Sequence, residues 1–321
     1  MFWQYRNMDA VSFDRKGDFM KCSATVDASA SLLCAAGAFG QERDTYTYDA
    51  RGRLVQVERT GSGAFITSHS YDLANNRVAK NVIAGVIALP VGGFTIQEDG
   101  SLLLFKARGA IERWYEGEIT TLIPELASER ETRFNDVIAD PAGRVFCGTM
   151  STADRLGRLY RLELDGSLTL ILDGVDVPNG MAFTPDRKQF YFTDSPKREI
   201  YQFDYDLESG NLSNQRVHIT TPEGEGVPDG MTVDAEGYIW SGRWDGGHLF
   251  RYAPDGTEVL RIPFPALKVS SITFGGSDYT EMYITTAGGD DRTTEGSGAG
   301  AIFRLNLGIR GMPEFLSKIA F

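Results

Sequence analysis

A short motif recurs along this chain at a nearly constant interval, and no other feature narrows the possible folds as much. Its clearest copy is Asp229-Gly230-Met231-Thr232-Val233-Asp234, closed by a turn at Gly237. Asn135-Asp136-Val137-Ile138-Ala139-Asp140, closed at Gly143, fits it without a gap. Asn179-Gly180-Met181-Ala182-Phe183, Gly92-Gly93-Phe94-Thr95-Ile96 and Ser270-Ser271-Ile272-Thr273-Phe274 follow the same plan. A weaker copy, opening at Asp44-Thr45, shares the Asp-x-x-Gly-Arg turn with the copy at Asn135. The second positions fall at residues 45, 93, 136, 180, 230 and 271, so the spacing stays between 41 and 50 residues.

A period of about 40–50 residues that holds several short strands is the signature of a β-propeller blade. The interior of each period agrees. A second apolar strand follows the turn, and then a hairpin at residues 111–123, 158–172, 200–211 and 248–259. Alternating apolar and polar residues around Asp-Gly turns are a hairpin signal. The expected fold is therefore all-β: a six-bladed β-propeller of four-stranded blades spanning residues 44–321. Residues 44–84 form its atypical first blade, and residues 1–43 are a lead. Ring closure calls for a strand from residues 24–38 to pair with residues 301–306, since a propeller hides its sheet edges.

Composition sets the class of partner. The 44 acidic residues against 32 basic ones leave a net charge of -12, which argues against nucleic acid or an anionic membrane and accords with a cation. No apolar run approaches the roughly 18 residues of a membrane span, and the first residues lack a signal-peptide core. Three cysteines without zinc spacing read as thiols in a reducing compartment, so a cytoplasmic protein is expected.

In a propeller the first strand of each blade lines the central channel, so equivalent positions surround one axis. The leading slots here are Asp44, Gly92, Asn135, Asn179, Asp229 and Ser270. Carboxylates, amides and a hydroxyl are the ligands of a hard divalent cation, Ca²⁺ above all, with Zn²⁺, Mn²⁺ or Mg²⁺ as alternatives. Asn or Asp before Gly is also ordinary turn chemistry, and it is the register across several copies that favours a site. Arg133 lies two residues before Asn135 and points the same way on an extended strand. It reads either as a substrate anchor or as part of a rim ion pair. By the same alternation Asp136 faces away. Asp194, Arg243 and Trp244 end second strands near the same face, and Cys147 reads as core.

At these residues the chain resembles the senescence marker protein / gluconolactonase / luciferin-regenerating enzyme family, the regucalcin-like six-bladed propellers. Residues 133–150 are similar to the family's Arg-x-Asn-Asp stretch ending in Gly-Thr-Met. Pro178-Asn179-Gly180-Met181 and Pro228-Asp229-Gly230-Met231 are similar to its two other site motifs. The resemblance implies a divalent cation held by a glutamate, by Asn179 and by Asp229, with Arg133 and Asn135 contacting substrate. It implies hydrolysis of sugar-acid lactones or related esters. On that expectation the cation would act as Lewis acid, and Asp229 would serve as ligand and general base. The family's first-blade glutamate is not matched; the repeat puts Asp44, one methylene shorter, in its place. Two other readings stay open. One is a propeller that binds a cation or sugar acid without turnover. The other is a truncated propeller fused to Tyr-Asp (RHS-type) repeats, which residues 46–54 and 71–77 resemble.

Overall fold

The computed structural model describes residues 90–321 throughout and, ahead of them, only the backbone of five strands between residues 31 and 84. The chain divides into two compact units, Met1–Asn7 with Pro90–Phe321, and Met8–Leu89. In the smaller unit β1 (Ser31–Cys34), β2 (Arg43–Tyr48), β3 (Leu54–Thr60), β4 (Phe65–Tyr71) and β5 (Arg77–Ala84) form one antiparallel meander in chain order. The Tyr-Asp strings at residues 46–54 and 71–77 fall largely outside the described residues.

The larger unit is a β-propeller of antiparallel blades. The first holds β6 (Val91–Ile96), β7 (Leu102–Lys106), β8 (Ile111–Tyr115) and β9 (Glu118–Ile123). The second holds β10 (Phe134–Ala139), β11 (Val145–Thr149), β12 (Gly157–Leu162) and β13 (Leu168–Val175). The third holds β14 (Pro178–Phe183), β15 (Gln189–Asp194), β16 (Glu199–Tyr205) and β17 (Leu212–Thr220). The fourth holds β18 (Val227–Val233), β19 (Ile239–Trp244), β20 (His248–Tyr252) and β21 (Glu258–Pro263). The fifth has only β22 (Val269–Gly275), β23 (Glu281–Thr286) and β24 (Ile302–Asn306). A one-turn helix, α1 (Arg292–Glu295), interrupts the loop before β24.

The expected six blades are thus corrected to five among the described residues. The sixth copy of the motif falls on β2, which pairs with β1 on one side and β3 on the other. An inner propeller strand is instead the first of its sheet, as β6, β10, β14, β18 and β22 all are. Asp49-Ala50-Arg51-Gly52-Arg53 is turn chemistry that a meander and a blade share, so it matches the repeat without making a blade. Most of the stretch from which a closing strand is expected, residues 24–38, lies outside the described residues; its described part, β1, pairs with β2.

Two local devices recur among the five true copies, the first in two of them and the second in all five. At the far end of β10, Asp140 Oδ1 accepts from the amides of Ala142 (2.8 Å) and Arg144 (2.9 Å), and Gly143 turns the chain at a φ of 100°. Asp234 does the same for Glu236 and Tyr238, each at 3.0 Å. At the near end every inner strand carries a register shift: at Val91/Gly93, Phe134/Val137, Asn179/Met181, Pro228/Met231 and Val269/Ser271. A bulge inserts a residue and re-aims the side chains beside it.

The bulges also bring consecutive inner strands very close. A Cβ on Gly180 would lie 2.5 Å from the Asp229 carbonyl oxygen and 2.7 Å from Met231 N. Gly180→Ala should therefore push β14 and β18 apart, destabilising the protein by about 1–3 kcal/mol, the usual range for overpacking. Denaturant unfolding of the variant checks this.

The apolar core is divided among the faces between blades. Phe146, Phe183 and Phe190 join β11, β14 and β15, with ring centroids 5.0–6.1 Å apart. Residues 310–321 then cross the far ends of the inner strands and touch all five blades. Gly311 N donates to Tyr279 O (2.8 Å), Phe315 packs on Phe183, and Ser317 N donates to Ile96 O (2.9 Å). Ala235 N donates to Arg310 O, and Lys318 N to Gly143 O.

Candidate active site

The near ends of β10, β14 and β18 bring Asn135, Asn179 and Asp229 together, 1%, 4% and 1% exposed. Proline at 178 and 228 opens two of these strands, and the bulge behind each turns the leading side chain inward. Asn135 Nδ2 donates to Asn179 Oδ1 (2.7 Å) and to the Pro178 carbonyl (2.8 Å), tying the second blade to the third. Arg133 Nη1 donates to Asn135 Oδ1 (2.9 Å) and to Phe134 O (2.9 Å), so these two residues do share a side. Asn179 Nδ2 donates to Ser195 Oγ (2.7 Å), and Ser195 Oγ donates to the Pro228 carbonyl (2.5 Å).

Asp136 does not follow the alternation. The bulge between Phe134 and Val137 breaks it, and the carboxyl is buried, 3% exposed, close enough to Asp229 for the two charges to interact. Burial pushes the Asp136 carboxyl up to about 7, against the pull of the Arg133 guanidinium. Burial and then the Asp136 charge push Asp229 well above the usual carboxylate range, against a hydrogen bond from the Gly230 amide. Asp136 Oδ2 has no hydrogen-bond partner among the described residues.

Two buried carboxyls whose charges interact, with the amide oxygen of Asn179 on the strand between theirs, are donors of the kind a hard divalent cation takes, and the unpartnered Asp136 Oδ2 fits that use. No three His, Cys, Asp or Glu side chains gather at one point among the described residues, so amides would have to complete such a set. Asp44 is in β2 of the other unit, and its side chain lies outside the described residues.

The remaining positions separate into support and core. Gly92 brings no side chain, and Ser270 Oγ pairs with Thr285 Oγ1 at 2.9 Å. Asp194 accepts from the amides of Asp176 (3.2 Å) and Val177 (3.3 Å), which holds the approach to Asn179. Arg243 is fully buried with its guanidinium 4.5 Å from the Phe250 ring, a packing role. Trp244 lies under Lys268 Nζ at 5.4 Å. Burial raises the Cys147 thiol, as a core residue requires.

Asp136 and Ser195 are what sequence reasoning missed. A signal for Asp136 exists: the second motif position is glycine in three copies, and Asp136 stands in that crowded place. No helix among the described residues is long and apolar enough to cross a membrane.

Comparison with known proteins supplies a framework for this geometry. Residues 46–288 match the model of the SMP-30/gluconolactonase/LRE-like region. A pentonolactonase of Haloferax volcanii is 47% identical over 258 residues, covering 78% of this chain and 87% of its own. Regucalcin of Gallus gallus is 36% identical over 239 residues, covering 70% and 80%. The crystal structure of a calcium-binding protein, regucalcin, from Agrobacterium tumefaciens superposes with a TM-score of 0.66 at 24% identity, covering 85% of this chain and 89% of that one.

Proposed function

The chain belongs to the SMP-30/gluconolactonase/LRE-like family, and from that premise we propose that it hydrolyses small sugar lactones at the cluster of Asn135, Asn179 and Asp229. The observation that carries this reading is the convergence of three inner-strand bulges on one point. It is marked by the 2.7 Å hydrogen bond from Asn135 to Asn179 and by the interaction of Asp136 with Asp229.

Each residue has a task in ring opening. Arg133 offers guanidinium donors to the hydroxyls and ring oxygen of a sugar lactone, and Asn135, whose two amide hydrogens go to Asn179 and Pro178, accepts through its Oδ1 and steadies the guanidinium at 2.9 Å. Asn179 and Asp229 hold a divalent cation, with Asp136 adding its charge; the relative named as calcium-binding favours Ca²⁺. When bound, the cation keeps the carboxylates ionised and polarises the lactone carbonyl. Asp229 takes the proton of the attacking water as general base. Water adds to the carbonyl carbon, the ring C–O bond breaks, and the proton passes to the leaving alkoxide to give the hydroxy acid. Asp44 as a further ligand belongs to this proposal and not to the observed cluster.

The test is turnover by the purified protein of gluconolactone and of a five-carbon aldonolactone, followed as acid release. Stripping the metal with a chelator should lower the rate at least about a hundredfold, and Ca²⁺, Zn²⁺ or Mn²⁺ should restore it. Turnover that ignores the chelator removes the cation from the mechanism. Metal uptake without turnover of either lactone leaves a cation-binding propeller.

A further inference from the structure

We propose that Ser195 is a positioning residue: its hydroxyl fixes which atom of the Asn179 amide is presented to the cation in the reading above. Ser195 follows β15 directly, is 4% exposed, and belongs to none of the motifs that define the site. It ends a chain of hydrogen bonds that runs from Arg133 through Asn135 and Asn179 and finishes on Pro228 O.

The direction of that chain is determined by its two ends. A guanidinium only donates, so Asn135 must turn its oxygen to Arg133. Its nitrogen then faces Asn179 Oδ1 at 2.7 Å and is held by a second bond to Pro178 O. Asn179 must in turn send its nitrogen to Ser195 Oγ. A backbone carbonyl only accepts, so the Ser195 proton goes to Pro228 O. Reversing any one amide would set donor against donor or acceptor against acceptor. With Ser195 in place, Asn179 offers oxygen toward Asn135. An amide oxygen has two lone pairs and can bridge that neighbour and a cation. The same hydroxyl holds Pro228, the residue before Asp229, so one side chain sets the spacing of both proposed ligands.

Without Ser195 the Asn179 nitrogen loses its acceptor, and only the bond from Asn135 is left to hold the amide with its oxygen toward the cation. The experiment measures the Ca²⁺ dissociation constant by calorimetry, with fold and melting temperature of the chelator-treated protein as controls. Ser195→Ala should weaken binding about 10–100-fold, the usual effect of removing a group that orients a ligand. Ser195→Thr, which keeps the hydroxyl, should retain most of the affinity. In an Asn179→Asp background the carboxylate offers oxygen either way round, so adding Ser195→Ala should then change affinity far less than in the wild type.

Wild-type affinity in Ser195→Ala, or an equal loss in both backgrounds, overturns the assignment while leaving the lactonase reading intact. A wild-type protein that takes up no Ca²⁺ overturns the cation reading and this one together. Should the alanine variant fail to fold, Ser195→Cys keeps the volume with only a weak donor and acceptor, and the same comparison applies.

Discussion

Asp229→Asn should reduce lactone turnover at saturating metal by about a thousandfold, within the range expected when a positioned general base is lost. Asparagine keeps the shape and one oxygen, so the β18 bulge and its contacts should persist, and affinity for Ca²⁺ should fall because a charge has gone. The sign of the stability change is the sharper check. Asp229 is 1% exposed and raised by burial and by Asp136, which means the fold holds this carboxylate against its own preference. Neutralising it should leave the metal-free protein at least as stable as the wild type, because without a compensating cation the fold must either bury this charge or take up a proton that the unfolded chain would release. A residue retained for the fold would behave in the opposite way. Turnover within tenfold of wild type, or a large drop in the melting temperature of the metal-free variant, would remove Asp229 from the chemistry.

How much of this was legible in the sequence depended on whether a local string has one structural meaning. The dyads Asn179-Gly180 and Asp229-Gly230 do, because at these two places a Cβ after the leading side chain would run into the next inner strand. They located four-stranded blades and two of the converging residues. Asp49-Ala50-Arg51-Gly52-Arg53 has two meanings, and the first blade was miscounted on it; only the pairing of β2 on both edges separates them. Asp136 was misplaced because alternation presumes a regular strand, whereas the register shift between Phe134 and Val137 puts consecutive residues to use. Ser195 was invisible for another reason. Its partners are 16 and 33 residues away in the chain, and a serine after a strand carries no signature of its own.

The C-terminal segment poses the same difficulty on a larger scale, and its removal should have the greatest effect on stability. Deleting residues 312–321 takes away the backbone hydrogen bonds of Ser317 with Ile96 and Glu98, of Lys318 with Gly143, and of Ala320 with Leu164. It also removes both bonds between Gln97 and Ile319, the Thr95–Ser317 contact, and the packing of Phe315 on Phe183. At about 1 kcal/mol net for each hydrogen bond, and about 1.5–3 kcal/mol for each buried apolar side chain, the loss approaches 10 kcal/mol. That is comparable to the whole stability of a typical domain, about 5–15 kcal/mol, so the truncated chain should not fold cooperatively. Phe315→Ala makes the graded version. It should destabilise by about 2–3 kcal/mol while leaving KM and kcat unchanged at permissive temperature. The reason is distance: Phe183, where Phe315 packs, is four residues along β14 from Asn179, roughly 13 Å of extended strand. A truncated protein with an undiminished melting temperature would show that the blades hold together without this strap. A change in KM for Phe315→Ala would show instead that strain at the far end of the inner strands reaches the site.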